Sequence, residues 1–112
     1  MDCIFCKIAQ GEIPCKKAYE DDRVLAFYDL DPQAPAHILL IPKEHIASAW
    51  EITPENSAVV GHIFEVAAKL ARELHLEGGF RLVNNCGEDG GQTVQHLHVH
   101  LLGGRSMQWP PG

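Results

Sequence analysis

The chain has 112 residues, with 9 Lys plus Arg against 15 Asp plus Glu, seven His and a formal charge of −6. This length corresponds to one compact unit, and 46% hydrophobic with 21% charged residues is a globular rather than a disordered composition. The longest apolar run, Val24 to Tyr28, is far short of the roughly 20 residues a membrane helix needs, and the acidic balance disfavours a nucleic-acid partner, whose affinity would come from Lys and Arg.

The N-terminus, with Asp2 and no long apolar stretch, does not read as a secretory signal. Four Cys then suggest reduced thiols in the cytoplasm rather than a disulfide framework. Asp2 is a candidate cap for a short helix through Ala9, which Gly11 and Pro14 would stop, and Cys3 and Cys6 would share one of its faces. A hairpin is expected over Lys17 to Tyr28, turning at Asp21-Asp22-Arg23, then a loop from Asp31 to Pro35 and a buried strand from Ala36 to Ile41. Thr53-Pro54-Glu55 reads as N-cap, first helical position and first-turn acid of one long helix. Its stripe is Val59, Ile63, Val66, Leu70 and Leu74, and Gly78-Gly79 would end it. A strand over Phe80 to Asn84, a turn-rich loop over Cys86 to Gly91 and a strand from about Val94 to Leu102 complete the pattern. The class is α+β: a mainly antiparallel sheet of about five strands, one long helix and a short N-terminal helix, in a single domain over residues 1–112.

The densest chemistry lies in Gln95-His96-Leu97-His98-Val99-His100-Leu101-Leu102. In extended chain, His96, His98 and His100 line one face about 6.6 Å apart, while Leu97, Val99 and Leu101 bury the other and fix the register. Such a row suits metal ligation, or nucleophilic and acid–base chemistry near neutral pH. The preceding Gly87 and Gly90-Gly91-Gln92-Thr93 offer backbone N–H groups and a hydroxyl to an anion, which favours attack on phosphorus.

His96-Leu97-His98-Val99-His100-Leu101-Leu102 resembles the His-φ-His-φ-His-φ-φ signature of the histidine triad (HIT) superfamily of nucleotide hydrolases and transferases. Glu12-Ile13-Pro14, Pro32-Gln33-Ala34-Pro35-Ala36-His37, Ile41-Pro42-Lys43-Glu44-His45, Gly90-Gly91-Gln92-Thr93 and the Trp109-Pro110-Pro111-Gly112 ending extend the likeness to the Hint branch over nearly the whole chain.

The resemblance implies a homodimer with the sheet extended across it, and cleavage of the P–N bond of purine nucleoside phosphoramidates through a nucleotidyl-histidine. His98 would be the nucleophile, His100 the phosphate contact and His37 a proton relay. Asn85, Gly91, Gln92 and Thr93 match positions at the phosphate or leaving group, and Asp29 the ribose acid. Ile4, Phe5, Ile8, Ile13, Phe27, Tyr28 and Leu30 fall around base and ribose, and Trp109 would pack near the partner's site. Tyr28 and Thr93 stand where other members have His and Ser. Cys3 and Cys6 with His45 and His96 resemble the structural zinc set of bacterial members, while catalysis would need no cofactor. Alternatives are the dinucleoside polyphosphate hydrolysis of a sister branch and a nucleotide- or partner-binding module without turnover.

Overall fold

The computed structural model describes residues 2–112. A short helix α1 (Ile4–Ala9) leads into strands β1 (Lys17–Glu20), β2 (Val24–Tyr28) and β3 (Ala36–Pro42). A 3₁₀ turn (Ala49–Glu51), the long helix α2 (Ser57–Glu73) and strands β4 (Phe80–Val83) and β5 (Val99–Gly103) follow. The sheet runs β1-β2-β3-β5-β4, and every neighbouring pair is antiparallel. This is the expected α+β class with five strands.

Side chains alternate across the sheet, so each central strand feeds two layers. Val24 and Ala26 of β2, Ile38 and Leu40 of β3, and Leu97, Val99 and Leu101 pack beneath Val59, Ile63, Val66, Ala67 and Leu70 of α2. On the opposite face, Leu25, Phe27, Leu39 and Ile41 meet Cys3, Phe5 and Ile8 of the α1 region. Register places Leu39 directly across from His100, so the imidazole of His100 belongs to the layer that α1 only partly covers. His37, two residues before Leu39, points to the same side.

Several boundaries differ from the sequence reading. The cap of α1 is Cys3, whose sulfur accepts the Cys6 amide, rather than Asp2. Helix α2 starts at Ser57, because the Asn56 side chain accepts the Thr53 amide and the Thr53 carbonyl accepts the Asn56 and Ser57 amides. Those bonds spend Thr53-Pro54-Glu55 on a turn. The helix also ends before Gly78: the chain leaves through His75 in the left-handed region at φ 57°. β5 begins at Val99 rather than Val94. Residues 94–98 therefore carry two of the three histidines on an arm outside the sheet ladder. No helix among the described residues is long and apolar enough to cross a membrane.

Candidate active site and metal centre

The arm is pinned from outside the sheet. The Leu97 amide donates to the Ile46 carbonyl at 2.6 Å, and Asn84 Nδ2 donates to the His98 carbonyl at 2.9 Å. Alternation survives without the ladder: Leu97 is buried in the α2 layer, while His96 and His98 are buried on the α1 side. Phe5 stands edge-on to both, with centroids at 6.0 Å from His96 and 5.1 Å from His98, and it meets Phe27 at 5.7 Å. One aromatic side chain of a six-residue helix thus supports the two histidines that stand outside the ladder.

Main-chain partners decide where the imidazole protons sit. His98 Nδ1 lies 2.7 Å from the His96 carbonyl, an acceptor only, so Nδ1–H donates and Nε2 keeps its lone pair. The Gln33 amide, a donor only, reaches His37 Nδ1 at 3.0 Å. The proton of neutral His37 is therefore on Nε2, which donates to His100 Nδ1 at 2.9 Å and leaves His100 with a proton on its outward Nε2. The His98 and His100 ring centroids are 5.1 Å apart, so a ring with a bare nitrogen neighbours one with an N–H donor. Burial, with the neighbouring His98 and His37 adding to it, holds the His100 pKa down to about 4, and burial also lowers that of His37. Both are neutral at pH 7. Asp29 approaches His37 Nε2 at 3.5 Å and opposes part of that shift.

His96 serves another centre. Its Nε2–H donates to the Pro42 carbonyl at 2.8 Å, so Nδ1 turns a lone pair toward Cys3 Sγ at 3.3 Å, Cys6 Sγ at 3.5 Å and His45 Nδ1 at 3.2 Å. Cys6 Sγ lies 3.2 Å from His45 Nδ1, and all four donor atoms fall within 4.8 Å of one another. A tetrahedron with ordinary Zn–N and Zn–S bonds has N–N edges of about 3.3 Å and S–N edges of about 3.6 Å. The set therefore fits a structural zinc ion, with the Pro42 carbonyl as the outer partner that orients a ligating imidazole. Burial and the adjacent Cys3 push the Cys6 thiol pKa up. Asp29, His37 and His100 also converge, but the His37 nitrogen facing that centre carries the proton fixed by Gln33, so this group is a hydrogen-bond relay rather than a metal cage.

Other expected residues are distributed unevenly. Ile13 lies against the Phe5 layer, whereas Ile4 is half exposed and Leu30 is fully exposed. Asn85 is partly buried beside Asn84, Thr93 and Gly91 lie at the surface, and Trp109 is 83% exposed. The glycine-rich loop uses amides that the sequence reading had offered to an anion: Gly91 N–H donates to the Glu88 carbonyl, Gln92 N–H to the Gly87 carbonyl and Gly87 N–H to Gln92 Oε1. Sequence reasoning missed Asn84 and Arg105, whose Nε donates to the Gln33 carbonyl and so steadies the residue that sets the His37 tautomer. Their role lies in main-chain contacts, for which side-chain pattern carries no signal.

An antiparallel α+β sheet with a main-chain-oriented imidazole row and a Cys₂His₂ cluster defines a histidine-triad, hydrolase-like fold. The HIT domain pattern matches residues 10–107, and the chain belongs to that family. It is 54% identical over 111 residues to an uncharacterised HIT-like protein of Synechococcus elongatus, spanning 99% of this chain and 97% of that one. It is 47% identical to a 14 kDa zinc-binding protein of Brassica juncea, covering 99% and 100%. A crystal structure of a HIT family hydrolase from Legionella pneumophila superposes with a TM-score of 0.97 at 53% identity, covering 99% and 100% of the two chains.

Proposed function

We propose that the protein is a nucleoside phosphoramidase that hydrolyses the P–N bond of purine nucleoside phosphoramidates through a nucleotidyl-His98 intermediate. The observation that carries this reading is the His98 tautomer: the His96 carbonyl holds the Nδ1 proton, leaving Nε2 as a nucleophile beside the outward N–H of His100. In the first step Nε2 attacks phosphorus, an N–P bond forms, the P–N bond to the amine breaks, and the amine departs with a proton. In the second step water attacks the same phosphorus, loses a proton and restores neutral His98, releasing the nucleoside monophosphate. Splitting the hydrolysis in this way lowers the barrier of each half. The His37–His100 pair lends the proton in the first step and recovers it in the second. A bound phosphoryl anion favours one extra proton on this pair, which burial otherwise suppresses, so that giving a proton to the amine leaves both imidazoles neutral.

Phe5, Phe27 and Ile13 form the apolar wall on which a purine would rest, with Ile4 and Leu30 at its rim, and Asp29 would accept ribose hydroxyls. Thr93, with Asn85 and Gly91, would meet the phosphate or the leaving amine. Zinc held by Cys3, Cys6, His45 and His96 would tie α1 to the histidine arm, and the four free thiols suit a cytoplasmic setting. Exposed Phe80 on the open edge strand β4, with exposed Phe64 on α2, supports a homodimer with a continuous sheet, in which Trp109 would reach the partner's site.

The test is to incubate the protein with adenosine 5′-phosphoramidate of lysine, follow AMP release and map acid-quenched peptides by mass. The expected result is turnover in wild type, none in His98→Ala, and an adenylyl group on His98. Equal inactivity of both proteins with no labelled peptide would end the enzyme reading; turnover confined to diadenosine polyphosphates would move it to the sister chemistry.

A further inference from the structure

The Gln92 side chain is accounted for neither by the histidine row nor by the metal centre, yet its carboxamide makes three hydrogen bonds to the main chain. Nε2 donates to the Ala47 carbonyl at 2.8 Å and to the Val94 carbonyl at 3.0 Å, while Oε1 accepts the Gly87 amide at 3.0 Å. Its own backbone amide closes the same loop on the Gly87 carbonyl. These partners belong to three stretches that no ladder joins. Gly87 begins the glycine-rich loop; Ala47 lies two residues beyond His45; Val94 begins the arm that carries His96 and His98.

The loop itself has no slack at one point. A Cβ at Gly90 would stand 2.3 Å from the Cys86 carbonyl oxygen, so the turn is closed to the limit of backbone contact. With the side chain turned inward, position 92 offers a ligand no free carboxamide. We propose that Gln92 is a positioning residue: its carboxamide clamps the glycine-rich loop to the nucleophile arm, and so sets where Thr93 and Gly91 stand relative to His98. This reading rests on the phosphoramidase assignment for its catalytic consequence, but not for the clamp.

The required chemistry is one acceptor and two donors in a single planar group, which only an amide supplies. Glu at this position turns carboxylate oxygen toward two carbonyls, and their repulsion drives the side chain out of the clamp, the Gly87 acceptor with it. Asn has the right groups on a side chain one methylene short. A loop displaced by about 1 Å loses on the order of 100-fold in rate when it holds the reacting group, with little change in ground-state binding.

Gln92→Ala and Gln92→Glu are therefore made beside wild type, and two quantities are read. The first is amide hydrogen exchange at Gly87 with no nucleotide present; both variants are expected to lose protection there by tenfold or more, while α2 amides keep theirs. The second is the kinetic split on adenosine phosphoramidate: kcat falls about 30- to 100-fold, and KM and AMP affinity stay within threefold. Unchanged Gly87 exchange in both variants would overturn the clamp whether or not the protein is an enzyme. Selective loss of AMP affinity with kcat preserved would overturn the positioning role and make Gln92 a direct nucleotide contact. Inactivity of wild type would remove the phosphoramidase assignment and leave the exchange result to decide the clamp.

Discussion

Phe5 joins the folding of the N-terminus to the geometry of the histidine row, so truncating it should register in both. Its side chain is 7% exposed and its ring meets Phe27, His96 and His98 edge-on. A buried Phe replaced by Ala costs about 3–5 kcal/mol, the transfer term plus the cavity left behind. The layer here is thin, open on the α1 side and able to collapse partway, so about 3 kcal/mol is expected for Phe5→Ala. Phe5→Leu, which keeps most of the volume and loses the edge-to-face contacts, should cost about 1 kcal/mol. Urea unfolding at pH 7.5 with zinc held constant gives these numbers, and for a domain of this size the larger one lowers Tm by roughly 10–20 °C. The rate of His98 adenylylation should fall with the same ranking, because the ring that loses its neighbour is the nucleophile's. A loss under about 1 kcal/mol for Phe5→Ala would refute the reasoning, as would a large stability loss with adenylylation at the wild-type rate.

Acid should destabilise the fold through the relay. His100, held to about 4, and His37, lowered by burial, stay neutral in the fold, whereas the unfolded chain protonates near pH 6.5. The unfolded state then binds more protons, so their contribution is complete above pH 6.5 and is lost as pH falls toward 4. Urea midpoints between pH 7.5 and 4.5 should drop less steeply in His100→Gln than in wild type; equal slopes would contradict this. Removing the sulfur donors with Cys3→Ser and Cys6→Ser together should take bound zinc from one per chain to none, by metal analysis, and lower Tm by about 10 °C or more. An unchanged Tm would show that the metal does not hold α1 in place.

Much of this arrangement is legible in the residues themselves. The alternation of His96, His98 and His100 with Leu97, Val99 and Leu101 gives the correct faces although the first two histidines stand outside the ladder, because burial rather than hydrogen-bond pairing sets which side each takes. The Val59–Leu70 stripe gives α2, and the Cys₂His₂ set converges as the family likeness implies. What escaped the sequence is local polar competition. Asn56 converts the apparent helix start at Thr53 into a turn, and the glycine-rich loop spends amides on itself. His62, which reads as a surface residue on α2, donates to Asp21 at 2.6 Å and is tied to Glu65, a link from the helix to the β1–β2 turn. That turn aims Asp21 by donating the Arg23 and Val24 amides to its carboxylate, and no periodicity reports such a bond.

The proton pattern of the imidazole row is written by peptide groups: the carbonyls of Pro42 and His96 and the amide of Gln33. Side-chain identity at positions 33 and 42 is thus free to drift among descendants without shuffling tautomers, since every residue carries the same carbonyl and nearly every one the same amide. The exception is proline at position 33, which has no N–H to give. The neighbouring Pro32 and Pro35 show that this loop accepts the ring readily, so the one forbidden substitution lies where the backbone would otherwise welcome it.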